Sequence, residues 1–480
     1  MTYPLKSLLI IPFLFFCLQV NASSGNVWTL EKCVAYALTH NISIQQNVLN
    51  ERLAALTLKQ SRLSQLPNAN VGPAYGRSFG RSVDPTTNQY VIGSYDFLSL
   101  SGNADVLLFG WFQKRNTIKQ NDLNHQAAIA DIDQLKNDVS LNVATGYLRA
   151  LLAKEQITVN EKQVSLSQQQ LDQTRRFAEA GRVPELNVAQ LASQVATDSA
   201  NLITAIADYT ASILDLKALL NLDFEVPFEV EAPEAAIPDQ GLVLSNTPEE
   251  IYKVAEGNFG SIKSSTLKLE AAEKQLLAAK GARYPTLSLT AQAGSNYATT
   301  FKDYSITPGD KMLTGAFVEF AGIQAPVYTQ GYTRTELRTT PLNTQFSDNF
   351  RHTYTMALTI PIFNAWQAQL SVRQSKINVQ AQALNKNQAQ LNLKQNVYKA
   401  YNDARNSVQK YYAAQRAADA AQRAFEFAQK RYDVGMTNTV EYLVIQNNQY
   451  KADASLSSAK YDLIFRLKVI DYYLGHTLRL

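Results

Sequence analysis

Phe109-Gly110-Trp111-Phe112, running on to Ala180-Gly181-Arg182-Val183-Pro184 and closing at Leu219-Leu220-Asn221, belongs to one stretch of sequence that occurs twice. Shifted by 254 positions it falls without a gap on Phe363 to Gly475, so that Phe109 meets Phe363, Val143 and Tyr147 meet Val397 and Tyr401, Gly181 meets Gly435, and Leu220 meets Leu474. Each copy reads as a short strand, a very long helix, a glycine turn and a second helix. A repeat of this length is read first, because it decides the architecture.

No proline interrupts the chain between Phe109 and Gly181. About 70 helical residues at 1.5 Å rise span roughly 105 Å, more than a compact domain needs. Apolar residues return at every seventh position, at Val143, Ala150, Ile157, Val164 and Leu171, and again at Val397, Ala404, Tyr411, Ala418 and Phe425. That period marks helices packed side by side as coiled coils, and the many Ala, Gln and Asn suit close packing on one side and a wet lumen on the other. Gly181 and Gly435 stand where a left-handed residue closes a helix, and Pro184 suits the first turn of the next one.

Working outward, Thr29 to Ser64 and Thr247 to Ala282 read as one helix each, the second opened by Thr247-Pro248-Glu249-Glu250. Each ends at a proline, Pro67 or Pro285, 38 positions after its start. The hydrophobic period then changes from 3.6 to 2. Leu287, Leu289, Ala291 and Ala293 alternate with Ser288, Thr290 and Gln292. Tyr354, Met356, Leu358, Ile360 and Ile362 do so along Thr353 to Phe363, and Leu98 to Leu108 repeats the pattern against Ser99, Ser101, Asn103 and Asp105. One face is apolar and the other small and polar. The strand length of roughly ten residues and the Tyr and Phe at the ends fit transmembrane β-strands with lipid outside and water within. Four such strands cannot close a barrel, since these start at eight, and an open edge in lipid would leave backbone groups unsatisfied. The chain must therefore oligomerise to sit in a membrane. Polar segments join the strands of each pair, Gly80 to Tyr95 in the first copy and Asn296 to Arg351 in the second. The second copy is 36 residues longer between its proline and its phenylalanine, all of it assigned to this surface loop.

The N-terminus reads as an export signal over residues 1–22, with Leu8 to Leu18 as its apolar core and Val20-Asn21-Ala22 as the cleavage site. Cys33 is then the one cysteine of the mature chain, so no internal disulfide forms. No later run of 18 or more apolar residues supplies a membrane-spanning helix. The 45 basic and 41 acidic residues leave a net charge of +4 with no basic block to suggest nucleic acid. His40, His125, His352 and His476 lie far apart, and no HExxH, CxxC or glycine-rich phosphate loop occurs, which argues against catalysis, a metal centre or a cofactor. Residues 223–246, rich in Pro, Glu and Ala, read as a linker crossing the outside of the helical part.

With these features the chain resembles an outer-membrane efflux protein of the TolC family. The likeness rests on the paired prolines before the strands, on Leu107-Leu108-Phe109-Gly110 and Pro361-Ile362-Phe363-Asn364, and on the tips Arg176-Phe177-Ala178-Glu179-Ala180-Gly181 and Lys430-Arg431-Tyr432-Asp433-Val434-Gly435. It implies an α+β membrane protein, a homotrimer in which four transmembrane strands per chain make a twelve-stranded β-barrel continued by a long periplasmic α-helical coiled-coil barrel. The repeats would run over 23–222, with a β-hairpin at 68–108 and a tip at 178–187, and over 247–476, with a hairpin at 286–363 and a tip at 432–441. Residues 477–480 would form a tail. It further implies a passive exit duct in the outer membrane of a Gram-negative bacterium, docking on a periplasmic adaptor protein and an inner-membrane transporter of the RND, ABC or similar kind. By the same resemblance, Glu441 forms an acidic ring at the pore, and Tyr432 latches neighbouring helices. The family's acidic latch partner stands here as Asn187 and its arginine as Thr437, so the latch would be a neutral Tyr432 to Asn187 hydrogen bond. A periplasmic coiled-coil adaptor or structural rod is the alternative reading.

Overall fold

The computed structural model describes residues 27–83, 88–231 and 246–476. The export signal expected over 1–22, most of the linker and the tail at 477–480 lie outside them. The described chain divides into two compact units, one formed by Asn50–Ile129 with Ser264–Asn387 and the other by the remainder.

The first of these units is built on strands. β2 (Asn68–Val83) and β3 (Tyr90–Phe109) form one antiparallel hairpin, and β5 (Thr286–Ala298) and β8 (Arg351–Thr359) belong to the second copy. They join in one antiparallel sheet of order β2-β3-β5-β8, which leaves β2 and β8 as its two edges. Register carries the alternation across every strand: Val71 pairs with Gly102, Gly102 with Ala293, Leu289 with Val106 and Met356, and Leu287 with Leu358. Val71, Tyr75, Leu98, Leu100, Val106, Leu287, Leu289, Tyr354, Met356 and Leu358 therefore share one face. Asn70, Ser99, Ser101, Asn103, Asp105, Ser288, Thr290, Gln292, Thr353 and Thr355 share the other, because side chains alternate along a strand. The apolar face is open, with Val71 74% and Tyr354 73% exposed. No helix among the described residues is long and apolar enough to cross a membrane.

Both joining segments depart from the sequence reading. Gly80 to Tyr95, expected as a loop, is mostly strand, because β2 runs to Val83 and β3 starts at Tyr90. The facing pair Gly80 and Gly93, with φ of 91° and 144°, takes up the twist there without breaking the pairing. Asn296 to Arg351 is not a plain loop either. It contains a second hairpin of β6 (Lys302–Phe320) and β7 (Ile323–Thr339), and the short helix α7 (Leu342–Asp348). Tyr, Ile, Val and Thr recur through these strands, and such side chains fit an extended, pleated backbone. The last strand ends at Thr359 and not at Phe363, since Pro361 has no N–H to continue the ladder.

Where strand passes to long helix, both copies use the same unusual turn. Trp111 and Phe112 have φ of 49° and 61°, and Ala365 and Trp366, 254 positions on, have 48° and 66°. Two successive left-handed residues without glycine are costly, and aromatic contacts hold the first pair: Trp111 lies 4.8 Å from Tyr284 and 5.5 Å from Phe109.

The other unit is helical. The helices expected over Thr29–Ser64 and Thr247–Ala282 are each broken in two, giving α1 (Leu30–His40) and α2 (Ile42–Leu63), then α5 (Pro248–Asn258) and α6 (Gly260–Gly281). Asn41 leaves the helical conformation, and its side-chain oxygen accepts from the N–H groups of Ser43 and Ile44, 3.0 and 3.3 Å away, so it caps the next helix. At the matching place Phe259 is extended. Gly260 lies so close to the next helix that a Cβ would come 2.4 Å from the Ala130 carbonyl oxygen. The long helices α3 (Gln113–Glu179) and α8 (Gln367–Asp433) have 67 residues each and return through α4 (Glu185–Leu220) and α9 (Thr439–Tyr473).

The repeat is visible in the packing. Val143, Ala150, Leu216 and Cys33 are buried in one cluster, and Val397, Ala404, Ile470 and Ile251 hold the matching places in a second. Cys33 therefore does the work of an isoleucine, and burial pushes its thiol up to about 12. The expected linker begins with structure: Glu229–Val230 forms a short strand, β4, parallel to β1 (Val27–Trp28). The Tyr147 hydroxyl lies 2.8 Å from the Trp28 carbonyl oxygen and 2.7 Å from that of Glu231, which ties both strands to α3.

Candidate functional site

The residues singled out in the sequence gather where α3 turns into α4 and α8 into α9. Both turns are closed by the same pair of backbone bonds. Gly181 N–H donates to Ala178 and Arg182 N–H to Phe177, at 2.9 and 2.8 Å. In the second turn Gly435 N–H donates to Tyr432 and Met436 N–H to Arg431, at 3.0 and 2.8 Å. Gly181 and Gly435 have φ of 69° and 76°, a conformation that glycine adopts without the strain a Cβ brings. The next helices start differently. Pro184 precedes α4 without a side-chain cap, whereas Asn438, its counterpart, accepts the Glu441 N–H at 2.8 Å. Glu441 thus stands exposed in the first turn of α9, where a carboxylate is favoured by the helix dipole.

Phe177, Arg182, Asn187, Tyr432, Asp433, Gly435, Met436, Thr437 and Asn438 line one cleft of about 360 Å³. It brings Asn187, Tyr432 and Thr437 together, but not through the latch expected from the sequence. The Tyr432 hydroxyl is 3.1 Å from Thr174 Oγ1 and 3.4 Å from Thr439 Oγ1, so threonines take the place foreseen for Asn187. Its ring stacks on Tyr442 at 4.6 Å, and Gln173 bonds Asp433 at 3.2 Å. Tyr442 is buried, accepts a hydrogen bond from Gln170, and has its phenol pushed up by burial first and by Asp433 second.

Above the turns, the interior is polar to an extent that the seven-residue apolar pattern did not reveal. Asn160, Gln163, Ser167, Gln170 and Thr174 are buried on α3, and all five matching positions in α8 are alanine: Ala414, Ala417, Ala421, Ala424 and Ala428. Asp198 of α4, 3% exposed, accepts from Ser167 at 2.5 Å, Gln194 at 2.9 Å and Gln163 at 3.3 Å. The Tyr450 hydroxyl donates to Asn160 at 2.7 Å and accepts from Gln156 at 3.0 Å. Gln156, Gln163 and Gln170 recur every seven residues, as do Asn160, Ser167 and Thr174. The same seven-residue spacing is present in the sequence, interleaved with the apolar positions.

Comparison with known proteins agrees with this architecture. The sequence model of the outer membrane efflux protein family matches residues 34–222 and 251–476. Outer membrane protein TolC of Escherichia coli (strain K12) is 23% identical over 338 residues, 70% of this chain, and the match spans only 61% of TolC's own length. Toxin and drug export protein A of Aggregatibacter actinomycetemcomitans is 21% identical over 438 residues, covering 88% of this chain and 83% of that protein. Among solved structures, the outer membrane protein VceC of Vibrio cholerae superposes with a TM-score of 0.74 at 15% identity, over 94% of this chain and 97% of its own. CusC does so at 0.73 and 17%, over 93% and 92%. With both repeats matched by the family model, the chain belongs to the outer membrane efflux protein family.

Proposed function

We propose that three copies of this chain form a passive exit duct through the outer membrane, fed by an inner-membrane pump of the RND, ABC or similar kind through a periplasmic adaptor. The observation that carries this reading is the four-stranded sheet, apolar on one face, small and polar on the other, and unpaired at β2 and β8. In lipid every backbone N–H and C=O needs a partner, and a threefold ring that joins β8 of each copy to β2 of the next gives a closed barrel of twelve strands. The apolar face then meets lipid and the polar face lines the lumen. Export by a duct of this build is consistent with the names of the relatives, one of which exports toxins and drugs.

The turns at Gly181 and Gly435 are the end at which the duct is gated. Threefold symmetry brings three Glu441 carboxylates around one axis, where they draw cations. Tyr432, stacked on Tyr442 and hydrogen-bonded to Thr174, holds the α8–α9 turn against α3, beside Asn187 and Thr437. Planar-bilayer recording tests both levels of this reading. Purified wild-type protein should open ion-conducting pores selective for cations, and Glu441→Ala should move the reversal potential towards zero. Absence of conductance contradicts the duct, and unchanged selectivity in Glu441→Ala contradicts the carboxylate ring alone.

A further inference from the structure

The β6–β7 hairpin is the largest feature that the duct does not explain. Its arms of 19 and 17 residues carry exposed apolar residues on both faces, Met312, Phe320 and Ile323 on one and Ile306, Leu313 and Phe317 on the other, with Phe320 81% exposed. An apolar surface of this kind on one chain marks an interaction site. Its base is fixed. Gln345, fully buried, donates to the Ala298 and Thr340 carbonyls at 3.1 and 2.8 Å and accepts from Ala298 N–H at 3.0 Å. Thr340 donates to Asp303 at 2.6 Å, and Asp96 and Thr299 exchange two further bonds of 3.0 Å. The hairpin thus leaves the sheet at a set place, between β5 and β8.

What covers it follows from the sheet edges. β2 offers an edge of 16 residues and β8 one of 9, so whatever the register, at least seven residues of β2 outrun the strand that would join them. β2 runs from Asn68 outward to Val83, and β8 runs inward from Arg351. β2 follows α2 and β8 leads towards α8, so with those helix-joined ends level the overhang lies beyond the start of β8, the side from which β7 and α7 enter. The chain before β8 is α7 and, ahead of it, the β6–β7 hairpin, which in a threefold ring would emerge beside the overhang of the next copy. Four strands at ~4.8 Å spacing, tilted by ~40°, take up only about 25 Å of a barrel rim, whereas a 17-residue arm extends about 55 Å. A hairpin laid along the rim passes the limits of its own copy.

Building on the trimeric reading above, we propose that the β6–β7 hairpin of each copy docks, by the face that carries Met312, Phe320 and Ile323, on the outer, overhanging part of the next copy's β2, so that the occupant of this face is a second copy of the chain. The outer end of β2, an edge strand with Phe79 exposed, and the Met312, Phe320 and Ile323 face of the hairpin cover one another.

Disulfide trapping between two differently tagged full-length chains, expressed together and oxidised in the outer membrane, tests this. One chain carries Ser78→Cys or Phe79→Cys, to sample both faces of β2, and the other carries Thr329→Cys, Thr333→Cys or Thr335→Cys. The proposal expects a reducible species containing both tags for at least one pair. Cys33 is buried and does not compete. Amine-reactive cross-linking of the wild type, run in parallel, reports the trimer. An intact trimer with no mixed-tag disulfide at any pair overturns the docking, as external partners or lipid would then cover the hairpin. A wild type that is not trimeric overturns the underlying reading as well. Replacing 302–339 by a short Gly-Ser turn should leave the trimer assembled but lower the temperature at which it dissociates in SDS, and an unchanged temperature counts against the docking.

Discussion

At the scale of single residues, what separates the two copies of the repeat is more telling than what they share. Gly181 and Gly435 do the same job at the same φ, and their role was legible because a glycine just past a long helix needs only local rules. Glu441 was singled out by the family resemblance, and the structure places it in a first helical turn. The buried polar residues were not, because burial is decided by partners far away in sequence, as when Gln170 meets Tyr442. Gln446 of α9 is the extreme case: it is 1% exposed, and neither atom of its amide finds a hydrogen-bond partner among the described residues. Each such buried group costs ~1–3 kcal/mol, and a side chain of similar size without polar atoms removes the cost. Gln446→Leu should therefore stabilise the protein by about 1 kcal/mol or more, seen as a higher unfolding temperature in calorimetric scans at a fixed rate. A lower one would show that Gln446 is satisfied in the assembled protein.

At the scale of elements, period and punctuation located the strands and long helices, while breaks and extensions escaped. Asn41 interrupts a helix by capping the next one with its own side chain, whereas in the second copy Phe259 is extended and Gly260 follows it where the neighbouring helix leaves no room for a Cβ. The Asn41 cap reaches only two and three residues on, but the approach of Ala130 to Gly260 cannot be seen along one stretch of chain. The extra residues of the second copy between β5 and β8 read as a polar loop, yet their recurrent Tyr and Thr fold as the β6–β7 hairpin. α9 carries a pH signature of its packing. Burial raises the pKa of Asp453 from its ordinary 3.8, with Lys162 opposing weakly, and Gln449 donates to it. A carboxyl group whose pKa is raised on folding binds its proton more tightly in the folded chain. Its stabilising effect is present at low pH and lost as pH rises through the folded pKa. Asp453→Asn should accordingly raise the unfolding temperature above that of the wild type at pH 7.5 and lose that advantage at pH 4. An equal difference at both pH values would mean that ionisation of Asp453 is not the cause.

At the scale of the whole molecule, the sequence already required association, since four strands are too few to close and too apolar on one face to stand in water. The structure adds that the two hairpins, distant in the chain, pair through β3 and β5, so that each copy presents one β2 edge and one β8 edge. A closed ring must therefore join unlike edges head to tail, which a rotational axis through the pore provides. In the proposed trimer the differences between the repeats, Tyr432 against Ala178 and Glu441 against Asn187, would make the mouth threefold although it would be built from six similar helical hairpins. The most direct test is the native mass of the protein extracted from the outer membrane in mild detergent. The account predicts a single species of three chains, and a membrane-extracted species of one chain, stable on dilution, would contradict it.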